Sequence, residues 1–174
     1  RLSNPVISTY LQVLLLTGAR REEIASLSWS DIDFKWSSMR IKDKVEGERT
    51  IPLTPYVSSI LCELAKLSNV DTSTDGWVFC SDSKSGRIVE PRKAHNRALS
   101  QASLPHISLH GLRRSFGTLA EWVEVPTGIV AQIMGHKPSA LAEKHYRRRP
   151  LDLLRKWHEK IERWILQQAN FAKK

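Results

Sequence analysis

Cysteine is nearly absent from this 174-residue chain: Cys62 and Cys80 stand far apart, with no metal-ligand spacing. Both read as buried, reduced thiols of a cytosolic protein. No stretch approaches the roughly 18 uncharged apolar residues of a membrane span, and no secretory leader is visible. Neither a carboxylate cluster nor a His/Cys set suggests a divalent metal site, and no cofactor is expected. Repeats, low-complexity tracts and linkers are lacking too. The chain opens on Arg1 with no methionine, which reads as a fragment of a longer protein, with residues 1–174 forming one domain.

Acid is the next scarcity. Eighteen Asp and Glu face 27 Lys and Arg, a net charge of +9, which favours a polyanionic partner, nucleic acid ahead of a membrane surface. The excess is concentrated at one end. From Lys137 to Lys174 there are 11 basic and 4 acidic residues, so +7 of the +9 lies in the last 38 residues. The run Arg147-Arg148-Arg149 directly follows Tyr146 there.

What is present has a legible order. Asn4-Pro5 suits a helix start, and Val6, Ile7, Tyr10, Leu11, Leu14 and Leu15 follow at helical spacing until Gly18. A short helix is expected over Arg21 to Leu27. Three short strands follow, Asp31 to Trp36, Met39 to Lys42 and Arg49 to Leu53, with Gly47 at the second turn. Thr54-Pro55 caps an amphipathic helix carrying Val57, Ile60, Leu61, Leu64 and Leu67. Trp77 to Cys80 is a strand or a buried extended segment, and Ser81 to Val89 a loop. Pro91 opens a basic helix bearing Arg92, Lys93, His95 and Arg97. Helices are expected over Leu109 to Trp122, Pro126 to Met134, Ala140 to Tyr146, and Leu151 to about Gln168. The fold class is α+β, mostly helical, with a small three-stranded antiparallel sheet near the front.

Four islands carry the chemistry: Thr17-Gly18-Ala19-Arg20, His110-Gly111-Leu112-Arg113, Met134-Gly135-His136 and Tyr146. A phosphodiester under displacement gathers negative charge on its non-bridging oxygens, and a guanidinium fork matches two such oxygens. Arg20 and Arg113 thus form a pair able to clamp one phosphate. His110 and Arg113, three apart on a helix, share a face. Gly135 lets the backbone come close beside His136. His95, His106, His145 and His158 read as structural, as do Tyr10 and Tyr56. Tyr146 is left as the nucleophile; a free phenol has a pKa of about 10 and needs nearby cations and a histidine to act near neutrality.

In this order and at these spacings the islands resemble the catalytic domain of the tyrosine recombinase (phage integrase) family over nearly the whole chain. The resemblance implies that Tyr146 forms a 3′-phosphotyrosyl link and releases a 5′-hydroxyl, which can later re-attack without ATP. Arg20 and Arg113 would bind the non-bridging oxygens, His110 would accept the phenolic proton, and His136 would hydrogen-bond the phosphate. Glu23 would orient the site by charge pairing, with an ordinary helix-start acid as its competing reading. The family also uses a hairpin lysine as general acid. Lys44 is the choice, eight residues before Pro52, and Lys42 is its rival.

The resemblance also implies double-stranded DNA attachment sites as partner, a homo-tetramer on DNA and a monomer or weak oligomer without it. Accessory DNA-bending or excision factors, and a place in the bacterial cytoplasm on the chromosome, go with this. N-terminal DNA-binding domains would lie outside the chain. Phosphate contacts are expected from Arg92, Lys93, Arg97, Arg114, Lys137, Arg147, Arg148 and Arg149. Prophage integration and excision lead; a chromosome-dimer resolvase or type IB topoisomerase shares the chemistry. A non-catalytic DNA-binding module and an RNA-binding protein are the competitors from other classes. The apolar stripe Leu151, Leu154, Trp157, Ile161, Trp164 and Ile165 packs either on its own domain or on a neighbouring protomer.

Overall fold

The computed structural model describes residues 4–43, 47–72, 75–136 and 148–170. Helix α1 (Pro5–Thr17) starts where the Asn4 side chain accepts the Ile7 amide at 3.1 Å, with Pro5 in the first turn. It buries Tyr10, Val13, Leu14 and Leu16 and stops at Gly18, whose φ of 60° is left-handed. A side chain at Gly18 would collide with the Phe116 ring, so only glycine lets the next turn come this close.

The short helix α2 (Arg21–Ala25) and a 3₁₀ turn (Trp29–Asp31) lead into the sheet. Its strands are β1 (Ile32–Asp33), β2 (Ser38–Asp43) and β3 (Gly47–Pro52), antiparallel in the order β1-β2-β3. Strand alternation buries Met39, Ile41 and Ile51 and leaves Arg40 and Lys42 exposed. Met39 pairs with Ile51, and Ile41 pairs with Arg49. The first strand is shorter than its sequence suggests. Asp33 accepts the Trp36 amide at 2.9 Å and Ser37 takes a φ of 47°, which makes a turn of what reads as strand.

Helices α3 (Pro55–Leu67), α4 (Arg92–Gln101), α5 (Leu109–Glu121), α6 (Thr127–Met134) and α7 (Leu151–Gln168) follow. Residues 77–80 take the extended alternative and form no strand: Val78 and Phe79 are buried, between isolated bridges at Trp77 and Cys80. The cysteines correct an expectation. Both are free, but Cys62 is only half-buried at the edge of the α3 stripe, and Cys80 is exposed where the chain leaves the core for the loop.

The stripe on α7 packs on its own chain. Leu154, Ile161 and Ile165 join the same apolar cluster as α1, the sheet, α3, α5 and α6. Polar stitches fix it. His158 Nε2 lies 2.8 Å from the Leu16 carbonyl at the end of α1. The buried Glu162 carboxylate accepts the Thr54 hydroxyl, the Tyr56 amide at 2.9 Å and the Val57 amide at 3.2 Å. It thereby caps the start of α3 from another helix. Arg155 donates to the Trp36 carbonyl at 3.0 Å. No helix among the described residues is long and apolar enough to cross a membrane.

Candidate active site

Two helix ends meet at the mouth of one cleft. Helix α1 ends at Gly18, and α6 ends at Gly135 with a φ of 72°. There the His136 amide reaches back to the Ala131 carbonyl at 2.9 Å. Helix C-termini carry partial negative charge on their last carbonyls, so they collect cations. Three arginines take three successive carbonyls of α6. Arg49 Nε donates to Ile133 at 3.2 Å, Arg113 Nη1 to Met134 at 2.8 Å and Arg20 Nη2 to Gly135 at 2.9 Å. Arg113 Nη1 also donates to the Gly18 carbonyl at 2.6 Å, which ties the two helix ends together.

Arg20 sits in extended conformation just before α2, its place set by Gly18 behind it and by Tyr10, whose hydroxyl donates to the Arg21 carbonyl at 3.1 Å. Glu23 is buried beneath it. One oxygen accepts the Arg20 amide at 2.7 Å and Arg49 Nη2 at 2.9 Å; the other accepts Arg20 Nη1 at 2.6 Å and Arg49 Nη1 at 3.2 Å. Glu23 is thus a helix-start acid that is also ion-paired to Arg20 and Arg49. Burial works against its charge, yet the hydrogen bonds from Arg49 and Arg20 hold its carboxyl below the ordinary range.

Ser108 caps α5 by accepting the Gly111 amide at 2.9 Å. That start sets His110 exposed in the first turn and Arg113 buried one turn on. The cleft, about 980 Å³, is lined by Arg20, Glu23, Lys42, His110 and Arg113, together with Arg92, His95 and His106. His136 lies on the surface beside the arginines. Desolvation of its inner side, then the positive charges of Arg113, Arg20 and Arg49, hold its imidazole below the ordinary range. A neutral imidazole keeps one N–H donor and one acceptor nitrogen.

Arg20, His110, Arg113 and Glu23 are thus brought together, with His136 alongside. Lys42, the rival lysine, points its ammonium to within 3.1 Å of Asp31 Oδ2, and Arg40 meets the other oxygen at 3.0 Å. Lys44, Tyr146, Lys137 and Arg147 lie outside the described residues, as does the helix expected over Ala140 to Tyr146. Arg92, Lys93, Arg97, Arg114 and Arg148 are exposed, as phosphate contacts require. Arg149 is less exposed than these. It is half-buried, with its guanidinium on the Gly128 carbonyl at 3.1 Å and its backbone clasped by the Gln132 side chain at 2.9 and 3.1 Å. His95 and His158 are buried hydrogen-bonders, as their sequence context suggests.

Arg49 escaped the sequence reading. Its signal was there: in the alternation of β3 it takes the inward side with Ile51, while Glu48 and Thr50 face out. A charged residue on the buried side of a strand needs a partner, and a buried arginine with a buried glutamate is that pair.

Comparison with known proteins matches residues 5–150 to the phage integrase family. The chain is 80% identical over 171 residues to prophage integrase IntF of Escherichia coli (strain K12), covering 98% of this chain and 37% of that protein. Among solved structures it resembles the integrase from mycobacterium phage Brujita, with a TM-score of 0.72 at 21% identity, over 91% of this chain and 52% of that one. It also resembles the XerH site-specific recombinase bound to its difH substrate, with a TM-score of 0.65 at 19% identity, over 99% of this chain and 47% of that one. The chain thus spans about a third to a half of the length of these relatives.

Proposed function

Since the chain belongs to the phage integrase family, we propose that it is the catalytic domain of a site-specific DNA recombinase that cuts and rejoins strands through Tyr146. The observation that carries this is the convergence of Arg20 and Arg113, from distant turns, on two helix ends at one basic cleft with His110 and His136 beside them. The family membership and the 80% identity to a prophage integrase support integration and excision of a mobile element as the setting.

In the proposed reaction the Tyr146 oxygen attacks the scissile phosphorus while His110 takes the phenolic proton. The P–O5′ bond breaks, and Lys44 delivers a proton to the departing 5′-oxygen. The product is a 3′-phosphotyrosyl link and a free 5′-hydroxyl. Arg20 and Arg113 hold the non-bridging oxygens as they gain charge, and neutral His136 hydrogen-bonds one of them. A 5′-hydroxyl of another strand reverses the steps, so the bond energy is conserved. The protein so read works on duplex attachment sites in the bacterial host, as a tetramer on DNA with accessory bending or excision factors. The XerH neighbour bound to difH supports the DNA partner.

A nicked-duplex pool with a randomised core, incubated with the full-length protein, tests this. Nicking lets the short 5′-hydroxyl fragment diffuse away and traps the covalent form. An adduct that vanishes in Tyr146→Phe, and whose captured sequence defines the site, is the expected result. Salt-sensitive DNA binding with no adduct on any captured sequence would leave a non-catalytic DNA-binding module in its place.

A further inference from the structure

The Glu23 carboxylate is shared by two arginines. One of them, Arg20, belongs to the proposed phosphate clamp, while Arg49 lies under it with its side chain only 10% exposed. Arg49 presents both ends of its fork to Glu23 and its Nε to the Ile133 carbonyl. It also fills the space over Gly135, where any side chain would strike its guanidinium. This geometry keeps Arg49 away from the cleft: it is not among the residues that line it. Its contacts go to the residue that holds Arg20 and to the helix end that carries His136.

The charges decide what that placement does. A buried carboxylate demands a counter-charge. With Arg49 in place, Glu23 is neutralised from below, and Arg20 need not serve as its sole partner. Taken by themselves, the guanidiniums of Arg20, Arg49 and Arg113 with the Glu23 carboxylate carry a net two positive charges. A phosphodiester carries one negative charge, and the five-coordinate species formed when a phenolate oxygen adds to it carries two. With Arg49 offsetting Glu23, the charges of Arg20 and Arg113 are left for the negative charge that builds on the phosphate as the phenolic oxygen adds, where complementarity raises the rate.

We propose that Arg49 is a positioning residue for strand cleavage, holding Glu23 so that Arg20 and the end of α6 remain aimed and charged for the transition state. This rests on the recombinase reading above. It is tested with the full-length protein and the duplex captured by the trapping experiment, in single turnover. Arg49→Met is expected to slow adduct formation about 100-fold, the scale of losing one preorganised charge. DNA affinity should move by less than about threefold, because Arg49 meets no substrate.

Two readouts separate this from simple loss of structure. The double variant Glu23→Gln/Arg49→Met removes the carboxylate with its partner and restores a net two positive charges, so it should regain about tenfold in rate over Arg49→Met. The acid limb of the pH–rate profile should also move to higher pH in Arg49→Met. His136 then loses one of the three guanidiniums that face it, Arg20 before α2 and Arg113 on α5 remaining, with Glu23 the carboxylate among them.

An Arg49→Met rate equal to wild type overturns the proposal. So does a loss shared equally by rate and affinity with no recovery in the double variant. If Arg49→Met does not fold, the double variant decides: a rate within about tenfold of wild type supports the proposal, and a rate at background sinks it. Absence of a Tyr146-dependent adduct in the wild type would defeat the recombinase reading itself and this proposal with it. A wild-type adduct with an unaltered Arg49→Met rate defeats Arg49 alone.

Discussion

Arg20 and Gly135 are joined by a 2.9 Å hydrogen bond from a guanidinium to the carbonyl that closes helix α6. The reciprocal brace runs from Arg113 to the Gly18 carbonyl that closes α1. Each arginine is thus held by the glycine turn of another island, and the two turns are held by the arginines. The first consequence concerns Arg113. Arg113 meets the Gly18 and Met134 carbonyls through Nη1 alone, whereas a lysine would have to serve both carbonyls and a phosphate from one ammonium nitrogen. Arg113→Lys should slow adduct formation by about 100-fold or more, read in single turnover, even though the charge is kept. A wild-type rate would show that charge alone suffices.

Gly18→Ala tests the turn itself. The substitution places a Cβ in left-handed backbone and against the Phe116 ring. Together these should cost about 3 kcal/mol, seen as a lower urea midpoint with an unchanged slope. A midpoint equal to wild type would mean that the ring moves freely aside.

The exposed and the anchored arginines should differ in their salt response. Arg97→Ala removes an exposed cation of α4 and should reduce the slope of log affinity against log salt by about 0.9. Arg149→Ala should leave that slope unchanged and lower thermal stability instead, since its guanidinium serves the Gly128 carbonyl. Equal slope changes in the two variants would place Arg149 on DNA after all.

Stability should fall on mild acidification. Complete burial lowers the His158 pKa from 6.5 to about 4, with the Leu16 carbonyl acting in the other direction. The unfolded chain takes up this proton below pH 6.5 and the folded chain does not until about pH 4, so stability is lost as pH falls through that window. The full loss is about 3 kcal/mol. Glu162 acts in the opposite sense, because burial raises its carboxyl and its stabilising protonation is lost as pH rises. Comparing wild type with His158→Met, by urea unfolding at pH 7 and pH 4.5, isolates the histidine. The variant should show the smaller drop, and parallel drops would refute the assignment.

Glu162→Ala addresses the seat of α7. It leaves the Thr54 hydroxyl and the Tyr56 and Val57 amides without their carboxylate acceptor at a buried helix start. A loss of about 3 kcal/mol is expected in urea unfolding. A change below about 0.5 kcal/mol, the usual range of a surface substitution, would mean that water replaces it.

Most of this site could be read from the chain because its parts are local signals. Gly18 and Gly135 end helices, Ser108 starts one, and the arginines sit at fixed offsets from them. The residues that were missed or misplaced depend on contacts across the fold. The alternation of β3 marks Arg49 as inward-facing, but its partners, Glu23 and the Ile133 carbonyl, lie far along the chain. Arg149 looked like part of a basic run until Gln132, on a different helix, was found to clasp it. Cys80 ends an apolar run in the sequence, but the chain turns outward there. The seat of α7 on its own chain likewise depends on Glu162 and His158 meeting donors and acceptors more than 100 residues away.

The stitch at His158 carries one more consequence. Its ring stands edge-on to Phe116 at 5.6 Å, and Phe116 is the ring that Gly18 touches. A short relay of packed groups thus runs from the last helix to the turn that aims Arg20 and Arg113. Lifting α7 from its seat would remove the floor beneath Phe116, and the arginine turn would slacken with it. Packing of the last helix and the shape of the Gly18 turn are therefore expected to vary together, through the one ring that both of them touch.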